Sequence, residues 1–266
     1  MALDRVTLRF ARPAESVQLR DINGFDERVV EDTSTATAIR LLHGLLLVDP
    51  SMGVRPGLAA ELCASDRDLL LAAVYRCVYG DRIESTARCA GCESSFDLSF
   101  SLQELCASLE TQRDQQAAEL LPDGTFRLPG GGRFRLPTGR DECAVVGLPP
   151  EEAARALHNC CRTEGGAEVS PEALDAALEQ VAPVLHLDLV ARCPECGQRQ
   201  ILDFDIQSFL LGTLLKERCR LTTEVHQLAL AYGWGLHEIL SLSRSERRAL
   251  AELVEVETPR RRKGSA

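Results

Sequence analysis

The sequence predicts an α+β fold: a small β core split into two strand–knuckle–strand halves, helical segments inserted around them, and an all-helical C-terminal unit. Three observations carry this reading. Two C-x-x-C stretches, Cys89-Ala90-Gly91-Cys92 and Cys193-Pro194-Glu195-Cys196, sit in matching frames, entered through Ala87-Arg88 and Ala191-Arg192. After each, apolar residues recur at every second position: Phe96, Leu98 and Phe100 in the first, Leu202, Phe204 and Ile206 in the second. That is the period of a half-buried strand. From Ser208 onward the apolar residues change to helical spacing, beginning with Phe209, Leu210, Leu214 and Leu215.

Taken in order, Val6, Leu8 and Phe10, then Val17 and Leu19, alternate as two short strands, with Pro13 and Ala14 in the turn. Asn23-Gly24 breaks the pattern. A helix follows from about Ser34, striped by Ala38, Leu41, Leu42 and Leu45 and stopped at Asp49-Pro50. His43, on this helix, has no second ligand nearby and reads as a packed or surface residue. These elements form an N-terminal unit over residues 1–60. Ser65-Asp66-Arg67-Asp68 has the spacing of a capping box, opening a helix that ends at Gly80 and carries Cys77 on its apolar stripe. Residues 82–88 are the strand entering the first knuckle, and Phe96 to Leu102 the strand leaving it.

Residues 107–183 read as an insertion between the knuckles, within a core that spans 61–207. Its stretch 112–118 is polar and expected at the surface. Thr125-Phe126-Arg127-Leu128 and Arg133-Phe134-Arg135-Leu136 are near-copies joined by Pro129-Gly130-Gly131-Gly132, a hairpin. No Gly-Lys-Ser/Thr follows the glycines, so they mark a turn and not a phosphate loop. Helices are expected at about 150–161 and 171–182, the second with Ser170 as cap and Pro171 at its first position. Leu185, Leu187 and Leu189 alternate into the second knuckle. The C-terminal unit spans 208–257; within it Tyr232-Gly233-Trp234 reads as a helix–helix corner packed by the tryptophan. Ser243 and Glu246 have capping-box spacing, and Ala249, Leu250, Leu253 and Val254 give the last helix one apolar face. Residues 258–266 read as a disordered basic tail.

A tetrahedral Zn²⁺ takes four thiolates at about 2.3 Å, and a C-x-x-C turn presents two of them on one edge. One knuckle cannot close such a site and two can. Cys89, Cys92, Cys193 and Cys196 are therefore the expected ligands of one structural Zn²⁺, and the core is a split zinc-ribbon-like unit. Redox dithiols, or plain thiols at tight turns, are the rival readings; a redox C-x-x-C follows a strand and opens a helix, whereas strand-like sequence follows both of these.

Composition narrows the function classes. The net charge is −10, and basic residues are dispersed apart from Arg260-Arg261-Arg262-Lys263. A nucleic-acid module rewards a concentrated basic face and stacking aromatics, and this chain has eight Phe, three Tyr and one Trp. No apolar run approaches the roughly 20 residues of a membrane span. The start of the chain lacks a signal-peptide pattern. Eleven cysteines, with Cys160 and Cys161 adjacent, suit a reducing cytoplasm better than a disulfide framework. His226 and His237 lack H-E-x-x-H spacing, and four thiolates leave a metal no open position, so catalysis is not expected.

The run EVHQLALAYGWGLHEILSLSRSERRALAELVE, from Glu224, joins a helix, Tyr-Gly-Trp, a Glu-Ile-Leu helix start and an arginine-bearing helix. Together with the two knuckle halves and Phe134-Arg135-Leu136-Pro137-Thr138-Gly139-Arg140-Asp141, it resembles the baseplate hub assembly chaperones of T-even-like phages and related contractile injection systems. The resemblance extends over most of the chain and brings no catalytic residues. It implies a non-enzymatic cytoplasmic assembly factor whose partners are the baseplate hub, spike or other tail proteins, with no nucleic acid and no membrane. Trp234, Leu250, Leu253 and Val254 are the candidate anchors for such a partner. The alternative is a zinc-ribbon nucleic-acid-binding or regulatory module.

Overall fold

The computed structural model describes residues 5–112, 118–163 and 169–263. The N-terminal alternation gives two very short antiparallel strands, β1 (Val6–Thr7) and β2 (Ser16–Val17). Asn23-Gly24 does not merely break the chain: it starts a helix, α1 (Gly24–Val29). The Asn23 side chain accepts the Phe25 and Asp26 N–H groups, while Asp26 accepts from Asn23, so the cap is reciprocal. Position 24 favours glycine because a Cβ there would lie 2.5 Å from Leu240 Cδ2 and 3.0 Å from Leu240 Cα. Helix α2 (Thr35–Leu45) follows its Ser34 cap as expected, with His43 exposed. A single 3₁₀ turn at Pro50–Met52 and α3 (Leu58–Glu61) lead into α4 (Ala64–Tyr79).

The expected capping box of α4 is absent. Cys63 is the cap residue and makes no side-chain bond; Ser65 to Asp68 lie inside the first turn and are buried. Their carboxylates serve other segments. Asp66 accepts the backbone N–H groups of Arg9, Phe10 and Ala11 at 2.7, 2.9 and 3.0 Å. Asp68 accepts that of Leu185 at 2.8 Å. Tertiary backbone donors that no ladder satisfies have outcompeted the local cap. Cys77, expected on the buried stripe, is exposed.

Next come β3 (Arg82–Arg88) and β4 (Ser95–Ser101), in register from Arg82↔Ser101 to Arg88↔Ser95, with Leu102 opening α5 (Leu102–Gln112) rather than extending the strand. Of the polar stretch 112–118, residues 113–117 lie outside the described residues, and Ala118 is buried rather than exposed. The glycine-linked near-copies form β6 (Phe126–Arg127) and β7 (Arg133–Phe134), joined on one edge by β5 (Glu119–Leu120). Phe126 and Phe134 stack at 5.4 Å inside a separate small core with Leu174, Ala177 and Val181. Helices α6 (Gly139–Ala144), α7 (Pro150–Cys161) and α8 (Pro171–Val181) follow; the last starts at Ser170 and Pro171 as expected.

The second half repeats the first. β8 (His186–Arg192) pairs with β9 (Arg199–Asp205) from His186↔Asp205 to Arg192↔Arg199, and α9 (Ile206–Lys216) leaves β9 as α5 leaves β4. The chain is mixed α/β, and among the described residues its sheets are small and antiparallel. One apolar core takes Leu19, Leu41 and Leu45 from the N-terminal segment, Leu70 and Val74 from α4, and the roots of both hairpins: Ile83 and Leu102, Leu185 and Ile206. The expected 1–60 unit therefore shares its interior with the 61–207 unit.

The C-terminal unit comprises α10 (Arg218–Tyr232), α11 (Leu236–Ser241) and α12 (Arg244–Lys263). The Ser243–Glu246 capping box forms as expected. Helix α12 extends through 258–263, where the sequence predicts a disordered tail. Residues 264–266 lie outside the described residues. The face of α12 turned inward carries arginines. Arg244, Arg247 and Ala251 are buried; Ala249 and Leu253 are exposed, and Leu250 and Val254 are half-buried. Arg247, 0% exposed, donates to Glu224 at 2.8 Å and to Glu27, and Arg244 bonds Glu27 and Glu217. Buried carboxylates on α1 and α10 demand charged partners, and the arginines outrank the leucines for that face.

Candidate metal centre

Each knuckle is the tip of a hairpin, and the two tips fold alike. The Cys89 N–H donates to the Ser94 carbonyl and the Cys193 N–H to the Gln198 carbonyl, both at 2.9 Å. Glu93 N–H returns to the Cys89 carbonyl at 3.0 Å, and Gly197 N–H to the Cys193 carbonyl at 2.9 Å. The residue after the second cysteine is left-handed in both, with φ of 61° at Glu93 and 73° at Gly197. This reversal turns each C-x-x-C pair onto one edge of its hairpin.

The hairpins face each other across an apolar layer that includes Phe96 and Ala191, with Phe100 edge-on to Phe204 at 5.1 Å. That packing brings all four sulfurs within 4.8 Å of one another. Cys89 lies 3.6 Å from Cys196, and Cys92 lies 3.7 Å from Cys193. A tetrahedral ion held by thiolates at about 2.3 Å has sulfur–sulfur edges of about 3.8 Å, so the donor set fits. Each knuckle supplies one buried sulfur, Cys89 or Cys193, and one exposed, Cys92 or Cys196. All four residues singled out from sequence are brought together.

The local dipoles favour thiolate. Backbone N–H groups of Cys92 and Gly91 hold the Cys89 thiol below its ordinary value, the latter at 3.4 Å from its sulfur. The Ser94 hydroxyl, then the Ser94 N–H, holds Cys92 down to about 6. Cys196 is backed by the Gln198 N–H, yet sharing hydrogen bonds with Cys92 and Cys89 pushes it up to about 12. A cation bound at the centre would take the place of that shared proton, and four thiolates would fill a tetrahedral coordination.

Two glutamines of the second hairpin also reach the first knuckle, and sequence reading passed over both. The Gly91 Cα abuts the Gln198 side chain, whose Cγ would lie 3.4 Å from a Cβ at that glycine. Gln200 accepts the Ala90 N–H at 3.0 Å and donates to the Arg88 carbonyl at 3.1 Å. A signal existed for Gln200: it falls on the alternate positions that carry Leu202 and Phe204 inward, where an apolar residue is the rule.

The other predicted site residues lie on the C-terminal helices. Trp234 does not fill the helix corner: it is 37% exposed and stacks on Tyr232 at 5.0 Å, although Gly233 does make the left-handed turn at φ 69°. Leu228 on α10 and Ile239 and Leu240 on α11 are the buried apolar residues of these helices. Leu253 is 56% exposed, whereas Leu250 and Val254 are partly covered. Leu230, 73% exposed, and Leu236 were not singled out. They flank Tyr232 and Trp234 in one short segment. No described helix is long and apolar enough to cross a membrane. Comparison with protein-family models, with curated proteins and with solved structures finds no match.

Proposed function

We propose that this chain is a non-enzymatic assembly factor for the baseplate hub of a contractile phage tail or phage-tail-like injection system, with a split zinc ribbon closed by one structural Zn²⁺. The observation that carries the metal part is the convergence of Cys89, Cys92, Cys193 and Cys196 at tetrahedral spacing. Among metals that choose four thiolates in tetrahedral array, zinc needs neither redox chemistry nor an added sulfide. With its coordination complete, such a site does structural work, tying the two hairpin tips together; a scaffold is what remains for the rest of the surface to use.

The partner is proposed from the resemblance of the Tyr-Gly-Trp unit to hub assembly chaperones. What supports a protein partner is the exposed apolar segment Leu230, Tyr232, Trp234 and Leu236, with Leu253 on α12. Tyrosine and tryptophan are enriched among binding hot spots. The test has two arms. Metal analysis of protein purified under reducing conditions is expected to give one zinc per chain. Co-expression with the hub and spike proteins of its own system, followed by pull-down, is expected to recover a complex that Trp234→Ala weakens. Deletion of the gene with particles of normal number, shape and contractility would end the assembly reading.

A further inference from the structure

The two knuckle hairpins correspond residue by residue, and that correspondence isolates one departure. The inward pair next to the first knuckle is Ala87↔Phe96; its counterpart next to the second is Ala191↔Gln200. Phe96 is buried in the layer between the hairpins. An amide has replaced an aromatic ring at the equivalent inward position. An inward polar group costs stability unless it is bonded, and this one is bonded at both ends. Its oxygen takes the Ala90 N–H and its nitrogen gives to the Arg88 carbonyl, the peptide groups on either side of Cys89. No other side chain of the second hairpin is hydrogen-bonded to the first knuckle's backbone among the described residues.

We propose that Gln200 is a positioning residue of the metal centre: it locks the Cys89 knuckle onto the second hairpin so that the four sulfurs stand at coordinating distance. This rests on the metal-centre reading. The physical case is entropic. The hairpin roots are fixed in the main core through Ile83, Leu102, Leu185 and Ile206, but the tips project from it. Four donors split over two tips bind tightly only if the tips are held in register before the ion arrives. The two Gln200 bonds supply that register at the cysteine itself. Because Arg88 and Ala90 are exposed, water satisfies their peptide groups when the amide is removed, and the fold does not depend on it.

The test compares the wild-type chain with Gln200→Met, which keeps the side-chain volume, and Gln200→Ala, which relieves any crowding. Zinc chloride is competed against a chromophoric chelator, the Co²⁺-loaded spectrum is recorded, and the chelator-stripped proteins are melted. Both variants are expected to lose ten- to hundredfold in zinc affinity. They should keep the four-thiolate Co²⁺ absorption and melt, when stripped, at the wild-type temperature. Affinities within twofold of wild type overturn the role of Gln200 while leaving the metal centre standing. Stripped variants that melt lower, in step with their lost affinity, overturn it too, since the glutamine is then general packing. A wild-type chain that takes up no zinc removes the centre and the inference together.

Discussion

Arg247→Met tests a buried charge, an arginine 0% exposed where α1, α10 and α12 meet. Its Nε bonds Glu224 at 2.8 Å and its Nη2 bonds Glu27, and those carboxylates have side chains only 4% and 7% exposed. Burial pushes the Arg247 guanidinium below its ordinary value, the sign of a charge short of water. Removing one member of a buried pair costs about 3–5 kcal/mol, because the remaining charge is left without its partner. Here each carboxylate keeps a second cation: Arg244 for Glu27, and Arg220 at 3.1 Å for Glu224. The lower end, about 3 kcal/mol, is therefore expected, a fall of about 6–12 °C in Tm for a chain of this size. Urea titration is the appropriate assay, since it leaves ionic strength unchanged and does not screen the network. Arg247→Lys is expected to rescue little, because one ammonium cannot span two carboxylates as the guanidinium fork does. In Arg247→Met/Glu224→Gln, the two changes should cost at least about 1 kcal/mol less than their sum. A loss under about 1 kcal/mol for Arg247→Met, or strict additivity in the pair, refutes the reasoning.

Cys193→Ser removes a buried ligand; it is expected to abolish stoichiometric zinc and to lower Tm without unfolding the chain, because the hairpin roots remain in the main core. An unchanged zinc content in that variant shows that the four cysteines do not share one ion. Gly197→Ala places a Cβ at φ 73° and should cost about 1–2 kcal/mol, read as a lower melting temperature and a weaker zinc affinity. Asp68 makes stability depend on pH. Burial, opposed by the Leu185 N–H and Arg67 and reinforced by Asp205 and Glu142, pushes its carboxyl up to about 7. The folded state then holds a proton that the unfolded chain releases near about 4, so stability falls as pH rises from about 4 to about 7. Asp68→Asn keeps an acceptor for the Leu185 N–H and is expected to flatten that fall and to exceed the wild type at pH 8; identical profiles for the two proteins contradict it.

Period and punctuation alone determined most of the elements. The alternation around each C-x-x-C placed both hairpins, and Ser34, Ser170-Pro171 and Ser243 placed helix starts, because a strand's side chains alternate and a helix's first N–H groups need a local acceptor. The four clustered cysteines were legible for the same reason: a knuckle is a local turn with its own signature. Tertiary structure decided whatever depended on a distant partner. Ser65 to Asp68 had the letters of a capping box, but Asp66 and Asp68 answer backbone donors at Phe10 and Leu185, far away in the chain. Ala249, Leu250, Leu253 and Val254 had the spacing of one apolar face, but which face of that helix is covered was decided by Glu27 and Glu224, which pair with Arg244 and Arg247. Gln200 broke an alternation that sequence could register and not explain, since the peptide groups it satisfies belong to the other hairpin. A local pattern fixes what its own backbone requires; which buried polar group meets which is settled only when segments remote in sequence are packed together.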